Sequence, residues 1–326
     1  MGTMTIISPG FFTTIQDSGR YGYRSFGMPV SGAMDFFSHM AANLIVGNKP
    51  WQGALEVTLT GPVIEFSSRA LIAITGAEMN PMINNHPVEM WSGLAVGKKD
   101  RLSFGSLDSG ARVYISFAGG LDVPVVMGSS STYLRGSIGG INGKRITEGD
   151  RIKINTPLLS YRKRNKLPVA LIPEWTREVH LGILEGIDFS EFPDDTIETF
   201  LSSSFKVTNY SDRMGIRLSG PVLKHMASAD VISYPIAPGT IQVPGDGNPV
   251  IMLADSQTVG GYTQIANIIS ADLWRTGQLK PWDEVRFKRC DNSEALKNLD
   301  VMIREIYSTF GIRKATSVTD YQLKSH

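Results

Sequence analysis

The stretch QDSGRYGYRSFG, Gln16 to Gly27, places an amide, a carboxylate, two arginines and two tyrosines among three glycines. Gly19 and Gly22 bracket Arg20, so the backbone can approach a ligand closely there. A guanidinium on such a loop can grip a carboxylate or phosphate through two parallel hydrogen bonds. Asp17 can orient Arg20 or handle a proton, and Gln16 can bind an amide. The alternative is a glycine turn pinned by an Asp17–Arg20 ion pair, which on an exposed loop adds about 0–1 kcal/mol. A second candidate is SGAMDFF, where Ser31 and the free amides of a helix start form an anion site, or an ordinary N-cap. A third is ADSQTVGGYTQ. Asp255, Gln257 and Thr258 precede a Gly260-Gly261-Tyr262 turn that suits a small polar ligand, or else belong to a buried network closing a barrel. Arg213, in SDRMG, is a further candidate for phosphate charge.

Other chemistries find no support. Of the five histidines, His39, His86, His180, His225 and His326, no two stand at metal-ligand spacing, and the lone Cys290 excludes an internal disulfide or a cysteine zinc site. GGINGKR lacks phosphate-loop spacing and has Arg145 where Ser or Thr would hold magnesium, so it reads as a hairpin turn. Neither G-x-S-x-G nor a strand-to-helix G-x-G-x-x-G occurs.

The elements that must position these groups are mostly strands. MTII, FFTTIQD, ALEVTLTGPVIEF, ALIAITGA, ARVYISFAGG, TIQVPGDGNPVIML and EVRFKRC are β-branched or aromatic runs broken by Gly, Pro or Asp-Gly. Asp246-Gly247 marks a hairpin. Helices are predicted from Ser31 to Gly47, at DTIETFLSS with an Asp195/Glu198 capping box, and at SEALKNLDVMIREIYSTFG. The last shows Leu296, Leu299, Ile303, Ile306, Tyr307 and Phe310 on one face. VGKKDRLSF, ITEGDRIKI and LKPWDEVRF align on Asp100, Asp150 and Asp283, each a turn feeding an alternating strand. With the echo of VTLTGPVIEF in IRLSGPVLKH, this suggests two related β-rich halves: 1–157 with one helix, 168–313 with a terminal helix, then a polar tail, 314–326. The basic run Arg162–Lys166 between them reads as a solvated connector.

The 326 residues are 42% hydrophobic and 19% charged, with net charge +1. That balance supplies a core but no field to recruit nucleic acid or anionic membrane. The absence of a signal peptide or a long apolar run points to a cytoplasmic protein.

Taken in order, TTIQDSGRYGYRSFGMPVSGAMDFFSHMAANLIVGN, ALEVTLTGP, AGGLDVPVVMGSSSTY, SDRMGIRLSGP and LADSQTVGGYTQIANIISADLWRTGQL resemble the C subunit of bacterial 5-oxoprolinase. This is the KipA or allophanate hydrolase subunit 2 family, similar to half of the carboxyltransferase domain of urea carboxylase. The resemblance implies two cyclophilin-like β-barrels. It implies ATP-dependent hydrolysis of 5-oxo-L-proline to L-glutamate, with a KipI-like B subunit and a LamB/YcsF-type A subunit. ATP would be a co-substrate of the complex, with magnesium. Two other readings stay open, a biotin-dependent carboxyltransferase component for urea or a similar amide, and a regulator that binds a KipI-like protein. No Met-Lys-Met biotin site is present in the chain. In the enzymatic reading Gln16–Gly27 and Asp255–Tyr262 line one pocket. Ser31 adds a contact, and Gly19, Gly260 and Gly261 offer amides to oxyanion charge.

Overall fold

The computed structural model describes residues 2–155 and 165–312. It is mainly β, with four α-helices among the described residues: α1 (Phe36–Ile45), α2 (Asp194–Ser202), α3 (Ser270–Thr276) and α4 (Asn292–Thr309). Most of the connector run and the polar tail lie outside the described residues.

Contacts divide the chain into two units. The first takes in residues 2–21, 31–155, 165–175 and 303–312, and the second takes in 22–30 and 176–302. The opening loop is therefore itself divided after Tyr21. Residues after the connector return to the first unit. Asn165 and Leu167 pair with Gly93 and Trp91, and the Trp175 indole N–H donates to the Gly76 carbonyl at 3.1 Å.

The first unit holds a seven-stranded and a five-stranded sheet. In the five-stranded sheet, Phe12–Gln16 pairs with Ala54–Thr58, which pairs with Ser109–Phe117, which pairs with Ala70–Glu78. One face carries Ile15, Leu55, Val57, Ile72, Val113 and Ile115 into the core. Helix α1 packs on Ala70–Glu78 and Ser109–Phe117, so these strands are buried on both faces and read as unbroken apolar runs. The second unit is an eight-stranded sheet in which Glu178–Glu185 pairs in parallel with Glu284–Arg289.

The three aspartate turns share one device. Asp100 Oδ2 accepts Gly97 N–H at 2.6 Å, Asp150 Oδ2 accepts Thr147 N–H at 2.7 Å, and Asp283 Oδ2 accepts Lys280 N–H at 3.0 Å. Each carboxylate closes a turn three residues back, and a strand starts at the next residue. The Asp246-Gly247 turn joins Thr240–Val243 to Val250–Met252. In GGINGKR, Asn142 and Gly143 have φ of +54° and +67°, the tight turn expected of a hairpin loop.

Some expected caps are replaced. Helix α1 starts five residues after Ser31, and its N-cap is Asp35, whose carboxylate accepts Ser38 N–H at 2.9 Å. Helix α2 is led by Pro193 with no side-chain cap, so Asp195 and Glu198 form no capping box. On α4 only Ile303, Ile306 and Tyr307 are buried, and Leu296 is exposed. The Gly260-Gly261-Tyr262 turn is instead strand: all three lie in Val259–Ile268, where Gly260 pairs with Tyr234 and Tyr262 with Asp230.

Candidate functional site

In the first unit, the chain leaves the strand Phe12–Gln16 into a polar knot centred on Asp17. Its Oδ1 accepts Gly19 N–H at 2.8 Å, Ser129 Oγ–H at 2.7 Å and Ser131 Oγ–H at 2.5 Å. Its Oδ2 accepts Ser130 N–H at 2.6 Å and Ser130 Oγ–H at 3.0 Å. Two carboxylate oxygens offer about four lone-pair sites. Five donors fill them, so Asp17 has no acceptor left to take a substrate proton. It is the fastening of the Ser129–Ser131 loop. Gly19 is bound into the same knot, its amide spent on Asp17.

Arg20 departs from its expected place on an accessible loop. It is 0% exposed, the largest fully buried side chain among the described residues. Its Nε donates to Val126 O at 3.1 Å and its Nη2 to Ser131 O at 2.9 Å. Guanidinium and carboxylate thus both hold this segment, Arg20 by its carbonyls and Asp17 by its amide and hydroxyls. Gly139 has φ of +71°, and a Cβ there would stand 2.0 Å from Ser131 O, so this close approach requires glycine.

Gln16 is fully buried, and its Nε2 donates to Thr14 Oγ1 and to Thr132 O, both at 3.1 Å. Ser31 is 4% exposed with φ of +56°. The loop it opens is pinned from the sheet. Glu56 Oε2 accepts Met34 N–H at 2.9 Å and Tyr114 Oη–H at 2.7 Å, and Tyr114 Oη accepts Asp35 N–H at 2.8 Å. Burial, with Glu56 and Asp35 nearby, pushes the Tyr114 hydroxyl above its usual range, which keeps it a donor to Glu56. Next to this network His39 is fully buried, and burial lowers its pKa to about 4 against the opposing pull of Asp17 and Glu56. It is a neutral core histidine.

The second unit holds Arg213 and Asp255 as a two-point pair, Nε to Oδ2 at 2.8 Å and Nη2 to Oδ1 at 3.1 Å, each under a tenth exposed. The Asp255 amide donates back to Arg213 O at 3.0 Å. Gln257 is exposed, Thr258 O accepts Ile236 N–H at 3.0 Å, and Tyr262 is 43% exposed with its carbonyl taken by Gln242 Nε2 at 3.2 Å. The structure therefore brings Gln16, Asp17, Gly19, Arg20 and Ser31 together in one unit. Arg213, Asp255, Gln257, Thr258, Gly260, Gly261 and Tyr262 fall in the other.

Sequence reasoning missed Ser129, Ser130, Ser131, Glu56 and Tyr114. The serine run after Gly128 was visible as three adjacent hydroxyls, and Glu56 as a charge inside an apolar strand. Among the described residues no group of three or more His, Cys, Asp or Glu is placed to hold a metal ion. Among the same residues, no helix is long and apolar enough to cross a membrane.

Comparison with known proteins agrees with this architecture. The family described as "Carboxyltransferase domain, subdomain A and B" matches residues 26–289. The chain is 36% identical over 296 residues to the Escherichia coli protein named as the C subunit of 5-oxoprolinase, covering 90% of this chain and 93% of that one. It is 37% identical over 307 residues to the urea amidolyase of Lachancea kluyveri, covering 86% of this chain but only 16% of that protein. The solved urea carboxylase of Kluyveromyces lactis superposes with a TM-score of 0.88 at 32% identity, over 94% of this chain and 29% of that one. The chain belongs to the family of carboxyltransferase domains with subdomains A and B, which it shares with the C subunit of 5-oxoprolinase.

Proposed function

We propose that this chain is the C subunit of an ATP-dependent 5-oxoprolinase, opening 5-oxo-L-proline to L-glutamate in a complex with a KipI-like B subunit and a LamB/YcsF-type A subunit. The observation that carries this reading is the nearly end-to-end match to a relative of similar length bearing that name, against matches to small fractions of the urea enzymes. In this reading the protein is cytoplasmic, and each half is built on a cyclophilin-like barrel. ATP is a co-substrate of the complex, arriving with magnesium. Transfer of its γ-phosphoryl group to the lactam oxygen, with release of ADP, would make the ring carbon open to water, and phosphate would leave as the ring opens.

The chain's own contribution is placement. Asp17 and Arg20 hold the Ser129–Ser131 loop against the Gln16–Gly19 turn, and Glu56 and Tyr114 hold the Ser31–Asp35 loop. Groups so over-determined give a rigid surface for a small amide. Asp17, saturated with donors, lacks the open acceptor of a general base, and Arg213 is held by Asp255 through two of its five N–H groups.

The test is reconstitution of the three purified proteins with 5-oxoproline and ATP, reading glutamate release. The full complex should turn over, and this chain alone should not. ATP-dependent turnover by the chain alone would refute the subunit reading. The structural likeness to urea carboxylase favours a second reading, a biotin-dependent carboxyltransferase component. Avidin separates the two: it leaves an oxoprolinase untouched and stops a carboxyltransferase.

A further inference from the structure

Four polar atoms around the turn that follows Phe12–Gln16 are buried without a hydrogen-bond partner among the described residues. They are Gln16 Oε1, Ser18 Oγ, Ser31 Oγ and Thr132 Oγ1. Their residues are 0, 5, 4 and 1% exposed. The backbone places their residues side by side. Gln16 Nε2 donates to Thr132 O at 3.1 Å, and Ala33 N–H donates to Asp17 O at 2.9 Å. Gly32 runs so close to the turn that a Cβ there would lie 2.9 Å from Gly19 N and 3.0 Å from Ser18 C. At Gly140 a Cβ would come within 2.1 Å of Thr132 Oγ1, so a side chain at 140 would press on that hydroxyl.

Each feature works against folding. A buried polar group without a partner is destabilising, and native proteins keep few of them. Ser31 also sits at φ of +56°, where glycine would be unstrained. Stability alone would be better served by glycine at 31 and alanine at 18. Groups kept at such a cost and gathered at one turn mark a place where a ligand completes the hydrogen bonds.

We propose that Gln16 Oε1, Ser18 and Ser31 are the amide-recognising contacts of this protein. Gln16 Oε1 is an acceptor only and takes the N–H of the bound amide. The Ser18 and Ser31 hydroxyls donate to its carbonyl oxygen, and Thr132 Oγ1 closes the set. None of the four carries charge, and the neighbouring Asp17 carboxylate is already filled by its own donors. The set therefore fits an uncharged –CO–NH– group, which a lactam ring and urea both contain. This inference rests on the amide-substrate reading above and names the atoms that would serve it.

The experiment compares Ser31→Gly and Ser18→Ala with the parent chain. Melting temperature is read on the isolated chain, and kcat and KM for 5-oxoproline on the reconstituted complex. Binding of 2-pyrrolidinone, the lactam ring without a carboxylate, is followed by NMR on the chain itself. Each variant should melt at or above the parent temperature, yet raise KM or lower kcat/KM about tenfold, the effect of one lost hydrogen bond. Both should weaken 2-pyrrolidinone binding. Parental kinetics in both variants would overturn the assignment. So would activity that falls only in step with a lowered melting temperature, since the serines would then be structural. If the parent complex itself fails to turn over, the 5-oxoprolinase reading fails and the site is judged on 2-pyrrolidinone and urea binding alone. Parental binding in the variants, or no binding to the parent chain, would then overturn it.

Discussion

Ser131 and Asp17 hold each other from both ends: the Ser131 hydroxyl donates to Asp17 Oδ1 at 2.5 Å, and the Asp17 amide donates to that hydroxyl oxygen at 3.0 Å. The two residues are 114 positions apart, so this contact closes most of the first unit into one loop. It also makes Asp17 the side chain on which the shape of the Ser129–Ser131 loop depends.

Replacing Asp17 with Asn keeps the shape but sets an NH2 group against donors on one side of the knot. Buried hydroxyls and amides then lose their acceptor. The expected cost is on the order of 3–5 kcal/mol, comparable to breaking a buried pair. The urea unfolding midpoint of the isolated chain measures it, and an unchanged midpoint would contradict the role given to Asp17.

Arg20→Lys tests the corrected position of Arg20. An exposed arginine would tolerate lysine, but here two carbonyls, Val126 O and Ser131 O, lie on a planar fork that an ammonium cannot match. A loss of about 2–3 kcal/mol is expected, since each carbonyl left without its charged donor costs about 1–3 kcal/mol before relaxation. That corresponds to roughly 5–10 °C in Tm for a unit of this size. Scanning calorimetry decides between this and the accessible-loop reading, which expects little change in melting.

Arg213 and Asp255 are coupled through two hydrogen bonds in a buried setting. Asp255→Asn should cost about 3 kcal/mol or more, because it strands a buried guanidinium. The double change Arg213→Met with Asp255→Asn should recover part of that loss. A double-mutant cycle on unfolding free energy reads the coupling, and strictly additive single effects would rule it out.

His39 sets a pH dependence whose sign follows from its burial. Its folded pKa of about 4 lies below the usual 6.5, so the folded state resists its protonation. The associated stability is complete above pH 6.5 and is lost as pH falls from there through about 4, a difference of about 3 kcal/mol in all. His39→Asn, which does not titrate, should flatten that part of the stability profile. An NMR titration placing His39 near 6.5 in the folded chain would contradict the assignment.

Much of the β framework was legible because its signals are local. The aspartate at the head of each of three strands, the Asp246-Gly247 turn and the inward alternation of Leu102, Ile152 and Val285 depend on residues a few positions apart. The site was legible only in part. The composition of Gln16–Gly27 marked it as unusual, and the serine run after Gly128 was in view. What joined them was contact across more than a hundred residues, which no local pattern encodes. Ser31 read as a helix cap because only its neighbours were visible. Glu56 and Tyr114, reaching from the sheet, hold that loop out of the helix, and the cap passes to Asp35. Gly260 and Gly261 read as a turn until the strand Asp230–Pro235 supplied a partner. By itself, then, the sequence determined most of the strand segments and marked the Gln16–Gly27 stretch as chemically unusual. Tertiary structure alone decided which of those residues are buried and saturated, because burial and hydrogen-bond satisfaction belong to what a side chain meets in space.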